Sequence, residues 1–436
     1  MTKKLRKKIP AVLMILLAVL FIPGIADAKE YQSDLWNFEQ TIAKTSGAFT
    51  FYAYPSKNQK EAWIYKIKIR RGNSSKLSIP SELDHKKVTR LGSREWFYLK
   101  EYEDELPNIF GVTAEPWHKI VGYSKQTKRI KKLVLPNTVR VIQPTAFSGM
   151  TSIKTVKIPK NVKTLSEYTF YGCSNLKSVE LPAGLKTLDT LAFWECPKLT
   201  EMKLSSKNKT YQVKDKCVIT KKKKELIYAM AGGQTFQVPE GVEIIKQFSF
   251  SNCTSPTINI SASVKKIEKY AFMNPSSDMD KPNIKNVTVD PQNSVYAKDG
   301  QCIYNKTDKS LSVAIPDEKG ALYISEQVEK LTEEKSIVGM DMFHFTKVVY
   351  PESLKTVAYR GFEDLTYADT IYFKGKNPPD CIKENGNKHD RPPRSGHIYV
   401  PEGSKEVYKQ WYLKYKHRWE DDFNPNIETF QPDDEI

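Results

Sequence analysis

The strongest constraint on how this chain can fold is a pattern that returns every 23 residues. Over residues 133–204 it repeats without a gap, and prolines and phenylalanines keep the same register as the apolar side chains. Self-similarity at a fixed period of roughly 20 to 50 residues is typical of repeat architectures. The columns are Leu133, Val156, Val179 and Met202; Leu135, Ile158, Leu181 and Leu204; Pro136, Pro159 and Pro182; Val139, Val162 and Leu185; Ile142, Leu165 and Leu188; Phe147, Phe170 and Phe193; and Met150, Cys173 and Cys196.

A single unit of this kind is not stable alone, because its few apolar side chains do not offset the entropy lost when its backbone is ordered. Stacked units bury their apolar columns in a continuous core, so the repeat predicts a solenoid. Within one unit Val179 and Leu181 alternate with Ser178 and Glu180, which predicts a short strand ended by Pro182. The later spacings of three to five residues predict a second short strand or turn, followed by a 3₁₀ or helical turn.

Two insertions, near 205–235 and 290–315, interrupt the repeat and match each other at an offset of 85 residues. Each contains a polar run between two apolar runs, which predicts a β-hairpin. The basic run 221–224 has two interpretations, a solvated hairpin tip or a patch for an anionic ligand, and the first is favoured because charge runs are usually solvated. The matching pairs are Asn208 with Asn293, Tyr211 with Tyr296, Cys217 with Cys302 and Leu226 with Leu311.

The unit from Leu176 to Cys196 reads Leu-x-x-Val-x-Leu-Pro-x-x-Leu-x-x-Leu-x-x-x-Ala-Phe-x-x-Cys. It resembles the repeat of the BspA-like leucine-rich-repeat family of bacterial surface proteins, and the resemblance covers roughly residues 77–400. The segment 399–404, with the aromatic residues after it, resembles the family's terminal capping repeat. The resemblance implies a curved leucine-rich-repeat solenoid of the α/β class, β-rich with short 3₁₀ or helical turns. It also implies an extracellular place, a binding or adhesion role and no catalytic residues.

The first 28 residues have the pattern of a secretory signal peptide. Five basic residues precede an apolar run over 11–22, and Ala26-Asp27-Ala28 supplies a cleavage site. The run of 12 residues is about 18 Å long as a helix, short of a bilayer core of roughly 30 Å. We therefore expect a secreted or cell-surface protein with no membrane span in the mature chain.

The segment 29–76 is interpreted as an N-terminal cap. Apolar residues at helical spacing predict an amphipathic helix over 33–46, and two aromatic-rich runs predict strands over 49–54 and 63–69. A separate binding module is the alternative interpretation of this segment.

The region 93–128 fits neither pattern and is interpreted as an irregular insertion, while 401–436 is interpreted as the C-terminal cap. Four aromatic residues of that cap recur at a spacing of three or four, which predicts a helix face packed on the last repeat. Stacking on sugar rings is the alternative. The four are Trp411, Tyr412, Tyr415 and Trp419.

Composition excludes several classes. Apolar residues make up 39% of the 436 residues and aromatics 11%, so an intrinsically disordered chain does not fit. Six cysteines are too few for a disulfide scaffold. The formal charge of +17 falls to +13 after residue 28, which for an exported protein favours acidic polymers such as anionic wall polysaccharides over nucleic acid.

No catalytic motif, phosphate loop or Cys-x-x-Cys pair is present in the sequence, and its six histidines show no ligand spacing. We expect no catalytic residue, no metal and no cofactor. Cys173, Cys196 and Cys253 share one apolar column, which favours buried thiols. Because neighbouring rungs lie about 4.8 Å apart, a bridge between Cys173 and Cys196 stays open.

The outward positions of the stacked strands form the candidate binding surface, since a solenoid gathers them into one polar row of mixed charge. A solvated strand face is the alternative. The candidate residues are Thr155, Lys157, Ser178, Glu180, Glu201, Lys203, Thr235 and Gln237.

Three hypotheses for the function follow. The first is an exported, non-enzymatic binding or adhesion protein whose partner is an extracellular protein or glycan. The second is a structural envelope protein retained by its charge on anionic wall polymers. The third is an enzyme with an unrecognised site in 29–128.

Overall fold

A computed structural model describes residues 35–70, 74–92, 129–230, 232–273, 284–338, 345–358, 360–362, 364–365, 368–382, 392–393, 395–415 and 426–431. The expected signal peptide and the insertion over 93–128 lie outside these residues. The chain forms two compact units, residues 1–222 and 223–436.

The first unit is built from short strands. They are β1 (Ile42–Ser46), β2 (Phe49–Pro55), β3 (Glu61–Ile69), β4 (Lys76–Ser78), β5 (Glu82–Leu83), β6 (Lys86–Leu91), β7 (Lys132–Val134), β8 (Val141–Ile142), β9 (Thr155–Lys157), β10 (Thr164–Leu165), β11 (Ser178–Leu181), β12 (Thr187–Leu188), β13 (Glu201–Leu204), β14 (Tyr211–Lys214) and β15 (Cys217–Thr220).

The first strand of each repeat stacks in parallel on the next, in the sheet β13-β11-β9-β7-β4. The register equals the repeat: Val179 pairs with Met202 on one side and with Val156 on the other. These apolar side chains are buried, while the residues before and after them in each strand face outward. Pro182 directly follows β11, as predicted, and its carbonyl oxygen accepts a hydrogen bond from the Leu185 amide. The leucine-rich-repeat solenoid is therefore confirmed in this unit.

The phenylalanine column forms a continuous stack. The ring centroids of Phe147 and Phe170 lie 5.5 Å apart, and those of Phe170 and Phe193 lie 5.3 Å apart. All three rings are at most 1% exposed. The core of the unit therefore runs along the repeat columns, as the sequence predicts.

The segment before the repeats forms a sheet in the order β1-β2-β3-β6-β5. It joins the repeats where β6 pairs in parallel with β8, and Arg140 binds Glu61 through two hydrogen bonds of 2.9 Å. The strands predicted over 49–54 and 63–69 are present as β2 and β3.

The helix predicted over 33–46 is wrong within the described residues, because residues 42–46 form β1 and pair antiparallel with β2. Leu35, at the first apolar position of the expected helix face, is 54% exposed. The β-branched Ile42 and Thr45 favour a strand, and pairing with β2 outweighs the helical spacing of the apolar residues.

The second unit contains strands and one helix. They are β16 (Glu225–Ala229), β17 (Thr235–Gln237), β18 (Ile244–Ile245), β19 (Thr257–Ile260), β20 (Lys266–Ile267), β21 (Asn286–Val289), β22 (Tyr296–Asp299), β23 (Cys302–Asn305), β24 (Leu311–Ala314), β25 (Ala321–Tyr323), β26 (Lys330–Leu331), β27 (Ser336–Ile337), β28 (Phe345–Tyr350), β29 (Thr356–Val357), β30 (Ala368–Phe373), β31 (Asp380–Cys381), β32 (Ser395–Pro401), β33 (Ile427–Phe430) and the helix α1 (Lys405–Lys414).

The same stacking principle holds in the second unit. The first strands of the repeats pair in parallel in the sheets β17-β19-β21 and β25-β28-β30-β32-β33. The short second strands of the repeats pair as β26-β29-β31. Phe250 stacks on Phe272 with centroids 5.0 Å apart. A buried cluster that includes Leu322, Val348 and Ile371 lies under the second of these sheets. The less regular repeats of this half therefore still form a solenoid.

The two insertions share a hydrogen-bond pattern. In the first unit the Asn208 side-chain amide donates to the Leu185 oxygen at 2.9 Å, and its oxygen accepts from the Tyr211 amide at 2.7 Å. In the second unit Asn293 does the same with Val264 at 3.0 Å and Tyr296 at 2.7 Å. Hairpins follow at β14–β15 and at β22–β23–β24. The two insertions, which are 85 residues apart, therefore share the same asparagine hydrogen bonds.

Candidate binding surfaces

Six of the eight predicted site residues lie together on the outward face of β9, β11 and β13. Ser178 pairs with Thr155 and Glu201, and Glu180 pairs with Lys157 and Lys203. They therefore form two adjacent rows of three, as the strand alternation predicts.

The charged groups of these rows bind one another. The ammonium group of Lys157 lies 2.5 Å from the Glu180 carboxylate, and Lys203 lies 3.4 Å from Glu201. The Ser178 hydroxyl donates to Glu201 at 2.7 Å, and this hydrogen bond lowers the pKa of that carboxyl. Exposed pairs of this kind contribute little to stability, so the rows are a polar surface whose groups are held in place.

The other two predicted residues, Thr235 and Gln237, lie on β17 in the second unit. They pair with Thr257 and Asn259 of β19, so the outward face of these two strands is polar and uncharged at these positions. The structure thus gives the eight residues as two groups, one in each unit.

An aromatic surface that the sequence reasoning missed lies on the outward face of β25, β28, β30 and β32. We call Tyr323, Lys347, Tyr372 and Tyr399 the tyrosine strip. Tyr372 and Tyr399 are paired across the strands, with ring centroids 4.7 Å apart and planes inclined by 13°. The Lys347 ammonium lies 5.3 Å from the Tyr372 ring centroid and 5.8 Å from that of Tyr323. Tyr323 is 40% exposed.

A sequence signal for this strip exists. Each of its tyrosines follows an apolar residue that faces the core, as in Leu322-Tyr323 and Ile398-Tyr399. The alternation therefore places the tyrosines outward, where a polar residue is the usual choice. The fading of the regular 23-residue period in this half had concealed the register.

The C-terminal aromatic residues do not add to this surface. Trp411, Tyr412 and Tyr415 lie on or just after α1 and are at most 7% exposed, and the Tyr412 hydroxyl donates to the Pro393 oxygen at 3.0 Å. The prediction of a helix face packed on the last repeats is confirmed for these three. Trp419 lies outside the described residues.

All six cysteines carry thiols rather than disulfides, and all six are buried. The Cys173 thiol donates to the Phe147 oxygen at 3.3 Å, and the Cys196 thiol donates to the Phe170 oxygen at 3.2 Å. Burial raises the pKa of Cys196 well above its usual value. The column is a packing position, as predicted, and Cys173 and Cys196 are not bridged.

Among the residues that the structure describes, no group of three or more histidine, cysteine, aspartate or glutamate side chains is placed to hold a metal ion. In the same part of the chain, no helix is both long and apolar enough to cross a membrane. The hypothesis of an enzyme site in 29–128 stays a hypothesis, since 93–128 lies outside the described residues.

A family model described as the BspA type leucine rich repeat region matches residues 119–229 and 225–313, in six copies. These repeats are BspA-type leucine-rich repeats. The match confirms the family that the Leu176 to Cys196 unit resembles, over a shorter span than the expected 77–400. A leucine-rich-repeat region of this type suggests, in general, a role in protein binding or adhesion. No curated protein matches the chain.

Several solved structures are similar to this chain. A leucine-rich cell surface protein from Faecalibacterium prausnitzii is 17% identical, with 77% of this chain and 96% of the other covered and a TM-score of 0.38. A leucine-rich repeat protein from Bacteroides ovatus is 14% identical, with 90% of this chain and 98% of the other covered and a TM-score of 0.31. The pneumococcal vaccine antigen PcpA is 13% identical, with 85% of this chain and 97% of the other covered and a TM-score of 0.31.

Proposed function

We propose that this protein is an exported, non-enzymatic binding or adhesion protein whose outward strand faces contact an extracellular protein or glycan. The BspA-type repeats support a binding role in general. The pattern of residues 1–28 supports export and a secreted or cell-surface location. The eight polar residues predicted from the sequence are proposed as part of the contact surface.

The tyrosine strip is the observation that carries this proposal. Tyrosine combines a large apolar ring with a hydroxyl group, and such residues dominate the binding energy of many interfaces. Here three of them lie on one sheet face, where their strands hold them in place and little side-chain entropy remains to be lost on binding. Because Tyr372 and Tyr399 stack on each other, they offer a partner their ring edges and hydroxyl groups, which suit a sugar ring or a side chain of a protein.

Val349 lies in the same row of outward positions as the tyrosines of the strip. It is the residue of β28 that pairs with Tyr323 on one side and with Tyr372 on the other, and it is only 1% exposed although it faces outward. Its neighbours on the two adjacent strands are therefore Tyr323 and Tyr372. A partner that covers the strip meets one apolar surface with polar edges, of the kind found at interface centres.

The test compares ring removal with hydroxyl removal. Tyr323, Tyr372 and Tyr399 are changed together to alanine, and in a second variant together to phenylalanine. Binding of both variants to a glycan array and to purified extracellular proteins is compared with that of the unchanged protein, after circular dichroism has shown that each is folded.

We expect the alanine variant to lose about tenfold or more in affinity and the phenylalanine variant to keep most of it, since the apolar rings supply most of the contact. Unchanged binding by a folded alanine variant would overturn the proposed role of the strip. A further variant with alanine at Lys157, Glu180 and Lys203 tests the polar rows in the same way.

A further inference from the structure

Positive charge is concentrated in the first unit. Residues 29–222 contain 35 basic and 18 acidic residues, whereas 223–436 contain 28 basic and 32 acidic residues. Within the first unit, residues 129–222 alone contain 18 basic and six acidic residues. The first unit after residue 28 therefore has a net charge of +17, of which residues 129–222 contribute +12, whereas the second unit has a net charge of −4.

Two exposed columns of these repeats carry lysines on three successive rungs, Lys131, Lys154 and Lys177 in one and Lys163, Lys186 and Lys209 in the other. We call Lys163, Lys186 and Lys209 the lysine ladder. The Lys186 amide donates to the Lys163 oxygen at 2.8 Å, so the two lie on adjacent rungs. Lys209 follows Asn208, whose side chain donates to the Leu185 oxygen at 2.9 Å, which places it beside the next rung. All three lysines are exposed, and none has an ion pair or a side-chain hydrogen bond within the described residues.

The same column in the second unit has alternating charges. Lys224, Glu243 and Lys265 occupy successive rungs there, through backbone hydrogen bonds of 3.0 and 2.8 Å. The Glu243 carboxylate lies 2.5 Å from the Lys224 ammonium and 3.0 Å from that of Lys265. Further along, Lys355 binds Glu329 in the same way at 2.6 Å.

This comparison shows that the fold accepts, and elsewhere uses, an acidic residue between two lysines in this column. The lysine ladder lacks that neutralising residue. Neighbouring rungs lie about 4.8 Å apart, so its cations repel one another unless an anion lies along them. Arg140 lies one repeat before Lys163, but its charge is neutralised by the ion pair with Glu61, so it does not add a fourth unpaired cation to the ladder.

We propose that the lysine ladder binds a linear polysaccharide that carries a carboxylate on each sugar, laid along the direction in which the repeats stack. Three cations in a file suit a chain of regularly spaced charges better than one small anion. Lysines act as point charges, whereas arginines favour paired contacts to single groups, so their use here fits recognition of charge spacing. This surface does not rest on the proposed function, which uses the tyrosine strip.

The test measures binding of fluorescently labelled polygalacturonate by anisotropy, at low and at physiological salt. Its fully methyl-esterified form is the control polymer, because it keeps the sugar backbone and loses the charge. The variant Lys186→Glu gives the ladder the alternating pattern of Lys224, Glu243 and Lys265, so it is expected to fold. Lys160→Glu is the matched control, since Lys160 is exposed in the same unit, undergoes the same change of charge and has Asn137 and Ala183 rather than lysines one repeat before and after it.

We expect Lys186→Glu to weaken binding by about tenfold or more and Lys160→Glu by less than about twofold, and we expect added salt to weaken binding of the unchanged protein. Equal losses of affinity in the two variants would show that the overall positive charge of the unit attracts the polymer, and would overturn the ladder as the site. Equal binding of the esterified polymer would overturn it as well. Ladder-dependent binding of polyphosphate without binding of polygalacturonate would overturn the polysaccharide as the partner.

Discussion

The rings of Phe170 and Phe193 lie nearly parallel, with centroids 5.3 Å apart and planes inclined by 7°. Phe147 lies on the other side of Phe170 at 5.5 Å. A side chain held between two identical neighbours, one from each adjacent repeat, stabilises both interfaces at once. Stability in this unit therefore depends on contacts between neighbouring repeats.

Loss of the central ring should accordingly be costly. We expect Phe170→Ala to lower the free energy of unfolding by about 3 to 5 kcal/mol, because the cavity is walled by Phe147 and Phe193 and cannot easily collapse. Urea titration followed by circular dichroism measures this. Leu35→Ala, at a side chain 54% exposed in the same unit, is the control and should change the value by less than about 0.5 kcal/mol. A loss below about 1 kcal/mol for Phe170→Ala would contradict the stack.

A second prediction concerns a turn that each repeat makes with positive φ. Gly149 and Gly172 adopt φ of 67° and 65° there, and Glu195 occupies the same place in the next repeat at 57°. A residue with a side chain is strained in this conformation by about 1 to 2 kcal/mol. We expect Glu195→Gly to raise stability by up to about 1 kcal/mol and Gly172→Ala to lower it by a similar amount. Thermal unfolding of both variants measures the two shifts, and shifts in the reversed directions would refute the argument.

The insertion asparagines provide a third prediction. The buried Asn208 side chain donates to the oxygens of Ala183 and Leu185 and accepts from the amides of Thr210 and Tyr211. Asn208→Ala leaves these groups without that partner in a site that is 1% exposed. We expect a loss of about 3 kcal/mol in the free energy of unfolding, measured by urea titration.

The matched control is Asn161→Ala, since the Asn161 amide also donates to a backbone oxygen, that of Asn137 at 2.6 Å, but at an exposed position. Its loss should stay below about 1 kcal/mol. Asn293→Ala should behave like Asn208→Ala in the second unit. Similar small losses for all three would show that burial of the asparagines is not decisive.

The buried thiols give a prediction that depends on pH. Burial raises the pKa of Cys302 from 9.0 to about 12. Because the folded state holds this proton more tightly than the unfolded state, its contribution to stability is full below pH 9 and is lost between about pH 9 and pH 12. We expect no alkylation of Cys302 by iodoacetamide in the folded protein at pH 8, and complete alkylation in concentrated urea.

Mass spectrometry of peptides after alkylation measures both states. Rapid labelling of Cys302 in the folded protein would contradict its burial. A disulfide peptide that joins Cys173 and Cys196 would contradict the arrangement in which each thiol donates to a backbone oxygen.

Much of the fold was predictable because stacking imposes a simple rule on the sequence. When successive repeats stack, residues at equivalent positions pack against one another and must be similar. In the sequence such residues are separated by a constant number of positions, here 23. Val156, Val179 and Met202 are therefore found in register, with Ser178 and Glu180 on the outward face. The shared offset of the two insertions was predictable for the same reason, since the same hydrogen bonds require the same residues.

The N-terminal segment was not predictable in this way. Ile42 lies in a strand because β2 offers a backbone partner, and no local spacing encodes that pairing. The partner of Arg140 is Glu61, which lies 79 residues earlier in the chain. Whether a cation is free or neutralised thus depends on a neighbour that the repeat does not specify.

Residues that recur at a constant step were enough to specify the solenoid, the register of its repeats and the burial of the cysteine column. Which surface groups a partner can reach depends instead on how the chain folds in space. The rings of Tyr372 and Tyr399 meet because their strands pair, and Lys186 keeps its free charge because its neighbours on the stack are also lysines. Contacts across rungs depend on which chain segments become neighbours in space, which residue spacing alone does not fully specify.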